Sequence, residues 1–144
     1  MNDPDEAFNK EYLLTSGNGA YSASTIGGCN TRKYHGLLVA PQPQIDDNDH
    51  VIVSALDEEI VYKKKTYPIA THKYPGTIYP EGYKLIAEFF AKPAPMWVYH
   101  LDDCVLTKEI MMVENEHAVL IRYAVADATE KVRCLSTSTS GREG

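Results

Sequence analysis

Short runs rich in β-branched and aromatic residues recur along most of the chain, and several alternate between apolar and polar positions. Tyr34 to Ala40, Val51 to Leu56, Glu59 to Tyr62, Tyr83 to Phe90, Met96 to Leu101, Val105 to Val113, Val119 to Val125 and Lys131 to Leu135 read as strands separated by Pro, Gly, Asn or Asp. Val119, Ile121, Tyr123 and Val125 share one face while Arg122 and Ala124 take the other. Half-buried antiparallel strands follow, so the expected fold is all-β, an antiparallel sandwich with a loop-rich N-terminus. Gly82 to Ala91 also fits a helical period through Leu85, Ile86, Phe89 and Phe90, but is read as strand.

Turn chemistry supports this frame. Gly17-Asn18-Gly19 and Gly27-Gly28 mark loops with backbone positions expected at positive φ, and Lys63-Lys64-Lys65 reads as a solvated hairpin turn between two strands. Residues 1–135 are expected to form one β domain, with Ser136 to Gly144, STSTSGREG, as a polar tail.

The chain has 144 residues, enough for one core without a disulfide or metal staple. A net charge of -6 spread along it disfavours nucleic acid and anionic membrane as partners. Cys29, Cys104 and Cys134 show no CxxC spacing, and no apolar N-terminal segment reads as a leader or span, so free thiols in the cytoplasm are expected.

Chemistry by motif is sparse. No GxGxxG or GxxxxGK occurs, the five histidines stand singly, and Asp46-Asp47-Asn48-Asp49 lacks the glycine and distal glutamate of a calcium loop. No cofactor or metal is expected. No GxSxG elbow is present, and Asp57, Glu58, Glu59, Glu114 and Glu116 are read as structural rather than as a hydrolytic pair. What stands out is a polar lead-in, CNTRKYHGLL at Cys29 to Leu38, and a tyrosine-rich stretch, HKYPGTIYPEGY at His72 to Tyr83. Such a mixture suits sugars, whose apolar C–H face packs on a flat ring while hydroxyls meet directional polar groups.

These two stretches also carry a resemblance. Together with EYLLTSGNGAYSASTIGGCNTRKYHGLLVA, Glu11 to Ala40, and the later strands WVYHLDDCVLTKEIMMVENEHAVLIRYAV, Trp97 to Val125, the chain resembles the N-terminal domain of bacterial and archaeal glycogen debranching enzymes of the amylo-α-1,6-glucosidase type. Ser16, Ala20, Lys33 and His72 depart from that family's usual Asn, Gly, Arg and Asn.

The resemblance implies a β-supersandwich that precedes an (α/α)6-barrel carrying the catalytic acids, so this chain is expected to be non-catalytic. It implies α-glucan (glycogen or limit dextrin) and the C-terminal catalytic domain as partners, with a homodimer through an exposed strand edge as a further expectation. Asn30, Thr31, Arg32, Tyr34 and His35 become candidates for carbohydrate or domain contact, led by Arg32 and His35; Tyr74, Tyr79 and Tyr83 follow as stacking candidates. The rival expectation is a purely structural interdomain module that touches no sugar.

Overall fold

The structure, a computed structural model, describes residues 3–46 and 48–140. Helix α1 (Pro4–Asn9) is capped by the Asp3 side chain, which accepts from the Asp5 N–H, and Pro4 occupies the first helical turn, where a missing N–H costs nothing. Twelve strands follow: β1 (Glu11–Thr15), β2 (Tyr21–Thr25), β3 (Gly36–Pro41), β4 (Asp49–Tyr62), β5 (Lys65–Pro68), β6 (Thr71–Tyr74), β7 (Thr77–Glu81), β8 (Ile86–Phe90), β9 (Met96–Leu101), β10 (Cys104–Met112), β11 (Val119–Asp127) and β12 (Arg133–Ser140).

They form an antiparallel sandwich. One sheet runs β1-β2-β3-β4-β12, with β5 also paired to β4; the other runs β11-β10-β9-β8; β6 and β7 make a separate hairpin. Tyr12, Leu37, Ile60 and Tyr62 from the first sheet pack on Ile86, Trp97, Tyr99, Leu101, Leu106 and Ile110 from the second. Each such side chain contributes about 1.5–3 kcal/mol when fully buried. Tyr12 meets Trp97 edge-on with ring centroids 5.4 Å apart, and the Trp97 indole N–H donates to the Ile26 carbonyl at 2.6 Å.

The all-β expectation holds, and several boundaries shift. Val51 to Leu56 and Glu59 to Tyr62 are one strand, because Asp57-Glu58 does not break it: the Glu58 side chain turns inward and is ion-paired there. Gly82–Leu85 is a 3-10 turn, so the strand expected from Tyr83 begins at Ile86. A side chain on Gly82 would lie 2.2 Å from the Ile69 backbone, which is why glycine stands there. Gly17, Gly19 and Gly28 have positive φ as expected; Gly27 does not, and instead lets α1 approach closely at Ala7. Lys63 and Lys64, at φ 50 and 61, form the two-residue turn between β4 and β5. Of the expected polar tail, Ser136 to Ser140 continue β12 along β4, and residues 141–144 lie outside the described residues. Among the described residues no helix is long and apolar enough to cross a membrane.

A groove on the outer face and a buried histidine turn

The stretch from Asn30 to His35 is a turn that closes on itself. His35 is buried, and its Nδ1 accepts the backbone N–H groups of Thr31 at 2.9 Å and Arg32 at 3.1 Å. A nitrogen accepting two donors carries no proton, so the ring proton sits on Nε2 and is donated to the Glu11 carboxylate on β1. Arg32 Nε at 3.0 Å and the Tyr34 hydroxyl at 3.1 Å donate to the same Glu11 oxygen. Burial works to raise the Glu11 carboxyl, but these hydrogen bonds from His35, Tyr34 and Arg32 outweigh it and hold the group below the usual glutamate value. Glu11 is thus the hub of a clamp that ties the turn to the first strand.

Asn30 points elsewhere. Its amide donates to the Ser54 carbonyl at 2.8 Å and the Ser54 hydroxyl at 3.3 Å, and its oxygen accepts from Ser24 at 2.7 Å. Both donor hydrogens are therefore spent on bracing β2 to β4.

Beyond Asn30 lies a groove on the outer face of the larger sheet. Alternation along β4 sends Glu58 and Ile60 into the core and Asp57 and Glu59 outward. The hairpin β6–β7 forms a wall over this floor. His72 and Tyr74 share one face of β6, with ring centroids 6.2 Å apart, and His72 Nε2 meets Asp57 at 2.5 Å. Three depressions share these residues: one of about 400 Å³ by Asn30, Thr31, Lys73 and Gly76, one of about 400 Å³ by Asn30, Ser54, Asp57 and His72, and one of about 650 Å³ by Asp57, Glu59, His72, Tyr74 and Pro80. Tyr74 lines all three and is 53% exposed.

The candidates from the sequence therefore divide. Asn30, Thr31 and Tyr74 line the groove; Arg32, Tyr34 and His35 belong to the Glu11 clamp. His35 is corrected from a hydroxyl contact to a buried turn lock, because both ring nitrogens are engaged within the fold. Tyr83 is corrected from a stacking platform to a core residue: it is 2% exposed and packs on Phe8 at 5.3 Å. Tyr79 is exposed but alternates away from Pro80, the β7 residue that lines the groove. Sequence reasoning missed Asp57, His72 and Ser54 as groove residues and Glu11 as the clamp's acceptor. The alternation of Asp57 and Glu59 against Glu58 and Ile60 carried the signal for the groove floor.

Behind the floor, Glu58 is buried against the second sheet, where Lys108 donates at 2.9 Å and the Tyr123 hydroxyl donates as well. Burial pushes the Glu58 carboxyl up, while the Lys108 ammonium pulls the other way. This contact joins β4 to β10 and β11 across the sandwich. The expected structural role of Glu58 fits that position.

No curated protein and no solved structure matches the chain. The family model described as glycogen debranching enzyme N terminal matches residues 10–135, which takes in the clamp, the groove wall and both sheets. The chain belongs to the glycogen debranching enzyme N-terminal domain family.

Proposed function

We propose that this chain is the non-catalytic N-terminal β domain of an amylo-α-1,6-glucosidase, and that its groove helps position branched α-glucan while another face packs on the catalytic barrel. One observation carries the reading: two stretches about forty residues apart in sequence, Asn30-Thr31 and His72-Lys73-Tyr74, line depressions that share Asn30, Lys73 and Tyr74. The Tyr74 ring offers a flat surface for a pyranose face, and the His72–Asp57 pair, whose imidazole lies 6.2 Å from that ring, offers polar atoms to hydroxyls. Volumes of a few hundred Å³ suit short oligosaccharide segments.

Binding suits the groove better than hydrolysis. Asp57 and Glu59 lie on one face of one strand and approach a sugar from the same side, whereas glycosidases place carboxyls on both sides of the bond. The chain alone is expected to release no glucose from limit dextrin.

Calorimetric titration with a branched maltooligosaccharide tests the reading. Binding that is lost in His72→Ala and kept in Arg32→Ala supports the groove. A folded protein that gives no heat favours the second reading, a structural interdomain module, which the Glu11 clamp supports because its polar groups are turned on one another.

A further inference from the structure

A small cavity of about 40 Å³ lies between the two sheets, and Glu58, Tyr99 and Lys108 line it together with core side chains. Buried polar groups need hydrogen-bond partners, so each of the three can be checked for what the fold leaves unmet. Tyr99 is 4% exposed; burial, then Glu58 and Tyr12, hold its phenol well above the usual value, and the hydroxyl keeps its proton to donate. Every fully sealed polar side-chain atom among the described residues has a partner, whereas no described protein group meets the Tyr99 hydroxyl. That hydroxyl therefore borders open space, which the cavity supplies.

The ion pair beside it also has capacity to spare. Lys108 carries three donors, of which Glu58 takes one at 2.9 Å, and its ammonium stands 5.6 Å from the Trp97 ring centroid. Glu58, 2% exposed, accepts Lys108 on one oxygen and Tyr123 on the other, and each oxygen can accept again.

We infer that this cavity is a binding site for water, in which an ordered molecule accepts from the Tyr99 hydroxyl and the Lys108 ammonium and donates to the Glu58 carboxylate. Size agrees, because one water needs about 10–15 Å³ of such space. The partners agree as well: a buried water makes about three hydrogen bonds, and three groups with spare capacity border the space. A water in this place returns to the buried carboxylate and ammonium part of the hydration that burial removes, which lowers the cost of keeping both charged between the sheets.

A crystal structure resolved well enough to show ordered solvent, with urea unfolding of the wild-type chain and of Tyr99→Phe, tests this. The expected result is a water within hydrogen-bond reach of Tyr99, Lys108 and Glu58, and a folding constant for Tyr99→Phe about two- to tenfold below wild type, since the water loses one of its donors. A cavity without solvent density, or one filled by an apolar side chain, overturns the inference. So does a Tyr99→Phe chain as stable as wild type or more stable, the outcome for a hydroxyl that had no partner to lose. No glucan enters these measurements, so their failure leaves the groove reading untouched.

Discussion

Of three histidine–carboxylate pairs among the described residues, His50 with Asp46 joins neighbours on the surface, while His35 with Glu11 and His72 with Asp57 look alike and differ in what they leave available. His35 on Glu11 is buried, its second nitrogen takes two backbone N–H groups, and Glu11 is shared with Arg32 and Tyr34. His72 on Asp57 is about one-third exposed, sits beside the Tyr74 ring and lines a groove. A polar group saturated inside the fold contributes to stability; one held at the wall of a depression can still exchange partners with a ligand. The same kind of pair therefore locks a turn in one place and lines an open groove in the other.

The largest effect that separates the two pairs is on stability. His35→Ala leaves two backbone donors without their acceptor, takes one of three donors from Glu11 and opens a buried space, and should cost about 3 kcal/mol in urea unfolding. His72→Ala should stay within about 1 kcal/mol, as expected for a partly exposed pair. Equal losses for both would erase the distinction.

Ligand binding should reverse the ranking. His72→Ala should weaken branched maltooligosaccharide at least tenfold, about 1.4 kcal/mol, by calorimetry. Tyr74→Ala should remove about 1 kcal/mol through the lost ring face, whereas Tyr79→Ala leaves the titration unchanged.

Much of this division was not legible in the sequence. Alternation identified the later strands and the all-β class, because a half-buried strand must repeat every two residues. It missed β1 and β2, where polar atoms are buried in side-chain hydrogen bonds, Tyr12 with Ser22 and Ser24 with Asn30, and blur the pattern. CNTRKYHGLL drew notice for its polar residues, yet sequence order could not say that Asn30 faces the groove while His35, five residues on, faces Glu11. That depends on the turn at Arg32 to His35, whose N–H to carbonyl contact is 3.0 Å. Tyr83 was misplaced because it stands beside Gly82 in the tyrosine-rich stretch that suits sugars, whereas the 3-10 turn delivers it to the core.

The smallest difference is in acid. Glu11 sits below its usual value, so the stability it contributes is present above the unfolded glutamate value and fades as pH falls through the lowered one. Glu58 runs the other way: its value is raised, so its contribution is present below the unfolded value and is lost as pH rises through the raised one. Unfolding followed against pH should therefore show a smaller Glu11 component in His35→Ala, with a shallower acid decline, because Tyr34 and Arg32 still hold the carboxylate, and should keep the Glu58 component. An unchanged acid limb would remove His35 from the clamp's electrostatics.

The fourteen residues of β4 serve two masters on alternate positions, with a core ion pair on one side and the groove floor on the other. Such a strand behaves like a zip with no spare tooth. Deleting one residue just before Asp57 would turn Glu58 outward and bring a carboxylate inward at a position where Lys108 and Tyr123 no longer meet it in their native geometry, so a single lost codon would damage the core and the groove at once.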